Sequence, residues 1–249
     1  MTSAISTLGS IVVPTWAQGQ TGIGQGGWTS ARFDQVVGQA LTVSLRSPIP
    51  LETELSVVSL GTDHWQVGFD NAGDGQLVLE GRPALRKFAS TEPVSIEAAV
   101  DARSRFRSTE HPAPLCFSCG THPASMCVHN GPLLDGTGRF ATDWTPPAWV
   151  GDADGAVDAP TIWAVLDCAS GFYVGQDEDR PAGVTVQYEV EILAKVPVEQ
   201  PHAVVAWNGV HPDHWDGRKR GAGSCVFDAS GTLLAQSSSF WVAPRHSSA

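Results

Sequence analysis

Gly26-Gly27-Trp28-Thr29-Ser30-Ala31-Arg32-Phe33-Asp34-Gln35-Val36-Val37 is the stretch on which the reading of the fold turns. Trp28, Ala31, Val36, Val37, Ala40 and Leu41 fall loosely at helical spacing, and a glycine pair opens the run. The pattern predicts one helix over about 26–40. Leu41-Thr-Val-Ser-Leu-Arg then alternates with period two, until Pro48 and Pro50 interrupt it. Three more strand-like runs follow at Glu54–Leu60, His64–Phe69 and Gln76–Leu85, with Asn71–Gly75 as a hairpin turn between the last two. This half reads as a helix followed by antiparallel strands.

The same order returns further along. Asp158–Tyr173 is a second apolar helix, with Asp158 placed to cap it and Pro160 tolerated in its first turn. Val184–Leu193, Ala203–Trp207, Gly221–Asp228 and Thr232–Val242 read as strands, and Asp228-Ala-Ser-Gly231 divides the last pair. Between the copies, Pro93–Phe106 predicts a connecting helix, and His111–Pro132 is rich in Pro, Cys and His. The expected organisation is an N-terminal lobe over 1–90, a linker over 91–132 and a C-terminal lobe over 133–249, an internal repeat of low identity. A helix wrapped by its own antiparallel sheet covers both apolar surfaces, so the fold class is α+β.

Composition bounds the function. In 249 residues, 42% are apolar and 16% charged, enough to bury a substantial core. No window approaches the ~18 uninterrupted apolar residues of a membrane span, and no Lys or Arg precedes Arg32, so we expect a cytoplasmic protein without a membrane partner. A net charge of −11 argues against nucleic acid as a partner. Five cysteines is an odd count, and a disulfide framework is not expected.

A glycine-opened helix wrapped by an antiparallel sheet, occurring twice, resembles the double hotdog fold of acyl-CoA thioesterases. Trp163-Ala-Val-Leu-Asp167-Cys168 and the tail from Asp216 to Val242 also resemble that family. The likeness is greatest to actinobacterial thioesterase-like proteins, which carry a Cys-Phe-x-Cys-Gly segment like Cys116–Gly120. The resemblance covers nearly the whole chain. It implies hydrolysis of an acyl-CoA or acyl-carrier-protein thioester, with no cofactor and with assembly into homo-oligomers common.

Thioester hydrolysis needs a group that binds the carbonyl oxygen as it gains charge, and one that activates water or attacks. A helix N-terminus opened by glycine offers unpaired N–H groups and a favourable dipole. The resembled phenylacetate-pathway thioesterases open on His-Gly-Gly, with an Asp seven residues after the second glycine. Here Gly27 to Asp34 keeps that spacing, with Gln25 in place of the histidine; Pro160 to Asp167 keeps it without the glycine pair. The family builds each site from one helix N-terminus and the opposing helix's carboxylate. That implies Gly26 and Gly27, with Trp28 as a further donor, opposite Asp167, and the Ala159-Pro160 opening opposite Asp34. Proline has no N–H to give, so the first pairing is expected to be active and Asp34 is the reserve candidate. Each Asp could equally cap, pair with Arg32 or satisfy a buried backbone group.

Trp28 and Trp163 are read as substrate-binding, as lining of an acyl tunnel or of the core, and so is Phe172. Arg218, Lys219 and Arg220 form the densest basic cluster, suited to coenzyme A phosphates or to a solvated turn. Cys116-x2-Cys119-x2-His122 and Cys127-x-His129 hold enough ligands for zinc, but not in the paired Cys-x2-Cys pattern, so we expect free thiols and no metal. Cys168 follows Asp167 by one residue, so its side chain should turn about 100° away and take no part. Cys225 should be a small core residue. The competing functions are a non-catalytic acyl-thioester binding protein and a hotdog hydratase or dehydratase. The Asp-x4-His pair and the His-x-Phe-Pro-Gly segment of the latter do not occur.

Overall fold

A computed structural model describes residues 5–69, 76–106, 111–175, 183–209 and 218–243. The predicted hairpin turn at 71–75 lies outside them. Both long helices form where the apolar period predicts them. α1 spans Gly26–Val37 and stops at Gly38, whose left-handed φ of 76° lets its N–H return to Asp34 O. α3 spans Ala159–Val174 and starts at Asp158, whose carboxylate accepts from Thr161 N–H (2.7 Å). Between them, α2 spans Ile96–Arg103, capped by Ser95. No described helix is long and apolar enough to cross a membrane.

The strands are β1 Ser6–Val12, β2 Leu41–Leu45, β3 Glu54–Ser59, β4 Trp65–Gly68, β5 Leu77–Pro83, β6 Gly131–Pro132, β7 Phe140–Trp144, β8 Val184–Ile192, β9 His202–Asn208, β10 Lys219–Phe227 and β11 Leu233–Val242. They form one antiparallel sheet in the order β1-β3-β4-β5-β2-β8-β11-β10-β9-β7-β6. Apart from β6, the order runs alike inward from either edge. From each side a first strand, then the third, fourth and fifth, lead to the strand that follows the helix.

The halves meet at β2 and β8, where Val43 pairs with Tyr188 and Ser44 with Gln187. Buried Glu189 reinforces that joint. Its carboxylate accepts from Thr42 Oγ1 (2.6 Å) and from the N–H groups of Leu85 (3.0 Å) and Arg86 (2.6 Å), so a charged side chain sits in the sheet without an unpaired oxygen.

α1 and α3 pack against one face of the sheet, and one hydrophobic core runs through both. α3 is buried along almost its whole length, consistent with its almost unbroken apolar sequence. The two helices touch where α1 begins. A Cβ on Gly27 would lie 2.5 Å from Trp163 O and 2.9 Å from Asp167 Cβ, so only glycine permits this approach. Tyr188 locks α3 to the sheet by donating its hydroxyl proton to Trp163 O (2.8 Å). On the sheet's opposite face, α2 forms a smaller core with Ala141, Val205, Trp207 and Phe227.

The Cys- and His-rich segment, read as part of a linker, packs into the core. Phe117, Met126 and Val128 are buried in the main core. Phe117 N–H donates to Gln18 O (2.8 Å), which ties the segment to the approach of α1.

Candidate active site between the two central helices

The first turn of α1 directs N–H groups at the middle of α3, and Asp167 meets them. Its Oδ2 accepts from Gly27 N–H (3.1 Å) and Gln25 Nε2 (2.8 Å), and its Oδ1 from Thr185 Oγ1 on β8 (2.7 Å). Gln25 serves two elements at once. Its Oε1 caps α1 by accepting from Trp28 N–H (2.6 Å), and its amide nitrogen faces Asp167. A shorter cap residue would satisfy the helix without reaching the carboxylate. Burial outweighs these three donors and pushes the Asp167 carboxyl up to about 6. A base of that strength suits proton transfer near neutral pH.

Asp167 borders a cavity of about 370 Å³, within the range of small-molecule sites. Gln25, Gly26 and Thr185 share its polar end, and Leu45, Ile49, Val184, Val186 and Trp241 line its apolar wall. Gly26 N–H is the first of α1 and finds no acceptor among the described residues. A Cβ on Gly26 would stand 2.9 Å from Leu45 Cδ2 and 3.4 Å from Asp167 Oδ2. The geometry therefore separates the two glycines. Gly27 N–H is spent on the carboxylate, whereas Gly26 lines the cavity with its N–H uncommitted among the described residues. Trp28 N–H, the further donor expected from the sequence, is taken by the Gln25 cap.

Asp34 stands apart from this assembly. Its Oδ1 accepts from Leu41 N–H (2.9 Å), bridging the end of α1 to the start of β2, and burial raises its carboxyl to about 6. The unfolded chain holds fewer protons than the folded one between pH 4 and 6, so this group costs stability above pH 6 and ceases to cost it as pH falls towards 4. An amide in place of this carboxylate would keep the acceptor without the charge. Asp34→Asn is expected to stabilise the protein at pH 7.5 by about 1 kcal/mol, scaled down for the group's contact with water, and to be neutral at pH 4. Urea unfolding at the two pH values measures it; an unchanged difference between them would rule it out.

The other predicted residues are scattered. Trp28 packs edge-on against Trp16 (5.6 Å between centroids) and under Arg32, and Trp163 packs edge-on against Tyr188 (5.5 Å); neither is among the residues lining the cavity. Arg220 is buried at the far end of α3, where its guanidinium donates to Val174 O and meets the negative end of the helix dipole. Arg218 donates to Ala243 O (3.3 Å), and Lys219 is exposed at the start of β10. The three do not form one exposed basic patch, because strand alternation turns Arg220 inward. The basic residue at the cavity is Arg46, half-exposed and paired with Glu80 (2.6 Å).

Cys168 was expected to turn away and take no part. It lines the cavity together with Asp167, and its Sγ lies 3.7 Å from Cys116 Sγ and 3.8 Å from Gln25 Nε2. A rotation of 100° still leaves both side chains on the wide wall that α3 presents to this space. Cys225 is buried in the smaller core. Thr185 is a residue of this candidate site that sequence reasoning passed over, and Gln25, Cys116, Cys119 and Cys168 were weighed there without a place beside Asp167. The available signal was Gln25 standing where the resembled thioesterases carry histidine.

No family model matches the chain, and no curated protein matches it. Among solved structures, a protein from Novosphingobium aromaticivorans assigned as a thioesterase superposes with a TM-score of 0.55 at 17% identity, over 97% of this chain and 95% of its own. A phenylacetic acid degradation-related protein from Ralstonia eutropha aligns with a TM-score of 0.45 at 16% identity, over 57% of this chain and 98% of its own. A thioesterase superfamily protein aligns with a TM-score of 0.40 at 19% identity, over 45% of this chain; the match spans about half of that protein, 52%. The full-length superposition fits two helix-and-sheet units carried by a single polypeptide. The chain has a double hotdog fold, which it shares with the Novosphingobium protein.

Proposed function

We propose that the protein hydrolyses an acyl thioester in the cavity between α1 and α3, with Asp167 as general base. One observation carries this reading: a buried carboxylate of raised pKa is fixed at a helix N-terminus inside a largely apolar cavity. The apolar wall suits an acyl chain, and the carbonyl oxygen would receive Gly26 N–H, where the dipole of α1 favours developing negative charge. Water held by Asp167 gives up a proton to it and attacks the carbonyl carbon. The tetrahedral intermediate then collapses, the C–S bond breaks, and the leaving thiolate takes the proton back from Asp167. Oδ1 carries only the Thr185 hydrogen bond and so keeps a lone pair for the proton of a water.

A panel of acyl-CoAs assayed for thiol release tests the reading; turnover of at least one is expected. A second reading has an observation in its favour: Gly27 N–H is already occupied by Asp167, which would suit an acyl-thioester binding protein that does no chemistry. Saturable binding of acyl-CoA without thiol release would establish it instead.

Arg46 is the basic group positioned at the cavity for a phosphate-bearing carrier. Arg46→Ala is expected to raise KM for acyl-CoA three- to tenfold with little change in kcat; an unchanged KM would remove Arg46 from the binding site.

A further inference from the structure

Three thiols converge at the polar end of the cavity. The sulfurs of Cys116, Cys119 and Cys168 lie within 4.8 Å of one another, although Cys168 comes from α3 and the other two from the segment after α2. No disulfide joins them. Zn–S bonds of about 2.3 Å in a tetrahedron place sulfurs about 3.8 Å apart. Cys116 and Cys168 are 3.7 Å apart.

The local backbone is shaped for such a site. Residues 117–119 form a turn directly after Cys116. Gly120 closes this turn, with its N–H donating to Cys116 O (2.9 Å). A Cβ there would fall 2.4 Å from Cys116 O, so the tight Cys-x2-Cys-Gly turn requires glycine. His122, Cys127 and His129, the remaining ligands suggested by spacing, are not in the group. His129 instead stacks on Phe106 (4.5 Å), and its Nε2 lies 2.9 Å from Cys119 O.

We propose that Cys116, Cys119 and Cys168 form a three-thiolate site for a thiophilic divalent cation of the zinc class, with its fourth coordination position open to the cavity. Structural zinc sites close all four positions with protein ligands, whereas three protein ligands leave one for an exogenous group. Asp167 is not among the ligand atoms grouped there. This inference is independent of the hydrolysis reading and survives its failure, because binding is read without activity.

The test is titration of the reduced full chain with Co²⁺. Thiolate-to-cobalt charge-transfer absorption should saturate at one equivalent and vanish on adding Zn²⁺. It should be lost in Cys168→Ser and in Cys116→Ser, and retained in Cys127→Ser and Cys225→Ser. Absence of the band in the unaltered chain, or its survival in Cys168→Ser, would overturn the proposal. Should the serine variants fail to fold, alkylation of the unaltered chain followed by peptide mapping decides. Zn²⁺ should protect Cys116, Cys119 and Cys168 at least tenfold while Cys127 stays reactive; equal labelling with and without Zn²⁺ would refute it.

Discussion

Asp167→Asn is expected to lower kcat for thioester hydrolysis by 10²- to 10⁴-fold while leaving the protein folded, the range general-base catalysis typically contributes. The substitution changes charge and basicity with almost no change in shape. The amide oxygen can still accept from Gly27 N–H and Gln25 Nε2, and the amide nitrogen would face Thr185, whose hydroxyl can accept instead of donating. Burial already disfavours the charged form of Asp167, so neutralising it should not cost stability. Steady-state thiol release, with thermal unfolding on the same preparation, measures both effects. Full activity in a folded variant would remove Asp167 from the chemistry.

A large stability effect is expected at Gly27. A methyl group there meets the Trp163 carbonyl oxygen at 2.5 Å and Asp167 Cβ at 2.9 Å. The oxygen belongs to the backbone of α3 and also accepts from Tyr188, so no side-chain rotation relieves the contact. The helices must separate, and the Gly27 N–H bond that holds Asp167 would lengthen with them. Overpacking typically costs 1–3 kcal/mol, and collision with backbone places this case near the top, at about 3 kcal/mol. For a chain of this size Gly27→Ala should then lower Tm by about 6–12 °C. Gly22→Ala is the control: its Cβ would meet nothing within 4 Å, and its left-handed φ of 78° carries only the conformational cost. Equal Tm values for the two variants would contradict the close helix approach.

Much of the fold was legible because its elements are periodic. α1, α3 and the strands after each helix lie within a few residues of the predicted spans, since one buried face imposes a period of 3.6 or 2 on the sequence. β1 was not legible: Ser6-Thr-Leu-Gly-Ser-Ile-Val lies largely exposed at the sheet edge, with no buried face to impose alternation. β7, Phe-Ala-Thr-Asp-Trp, buries Ala141 and Thr142 side by side, so no alternation marks it in the sequence. Within the candidate site, the approach of Gly27 to Asp167 followed from family resemblance; nothing in the local pattern near Asp167 points to a partner 140 residues away. The cysteines show the limit most plainly. Spacing groups Cys116 with His122 and His129, whereas tertiary packing groups it with Cys168, because a segment that looked like a linker is buried in the core. Arg220 likewise belonged to a basic run in sequence and to the end of a helix in space.

A single turnover of acyl-CoA in H₂¹⁸O, followed by mass spectrometry of the released acid and of the peptide carrying Asp167, examines the chemistry at its source. Base-activated water predicts one ¹⁸O in the acid and none in Asp167. Label in the Asp167 carboxylate would mean that it attacks the thioester directly, and acyl-CoA recovered intact from a saturated cavity would mean that the protein binds thioesters without cleaving them.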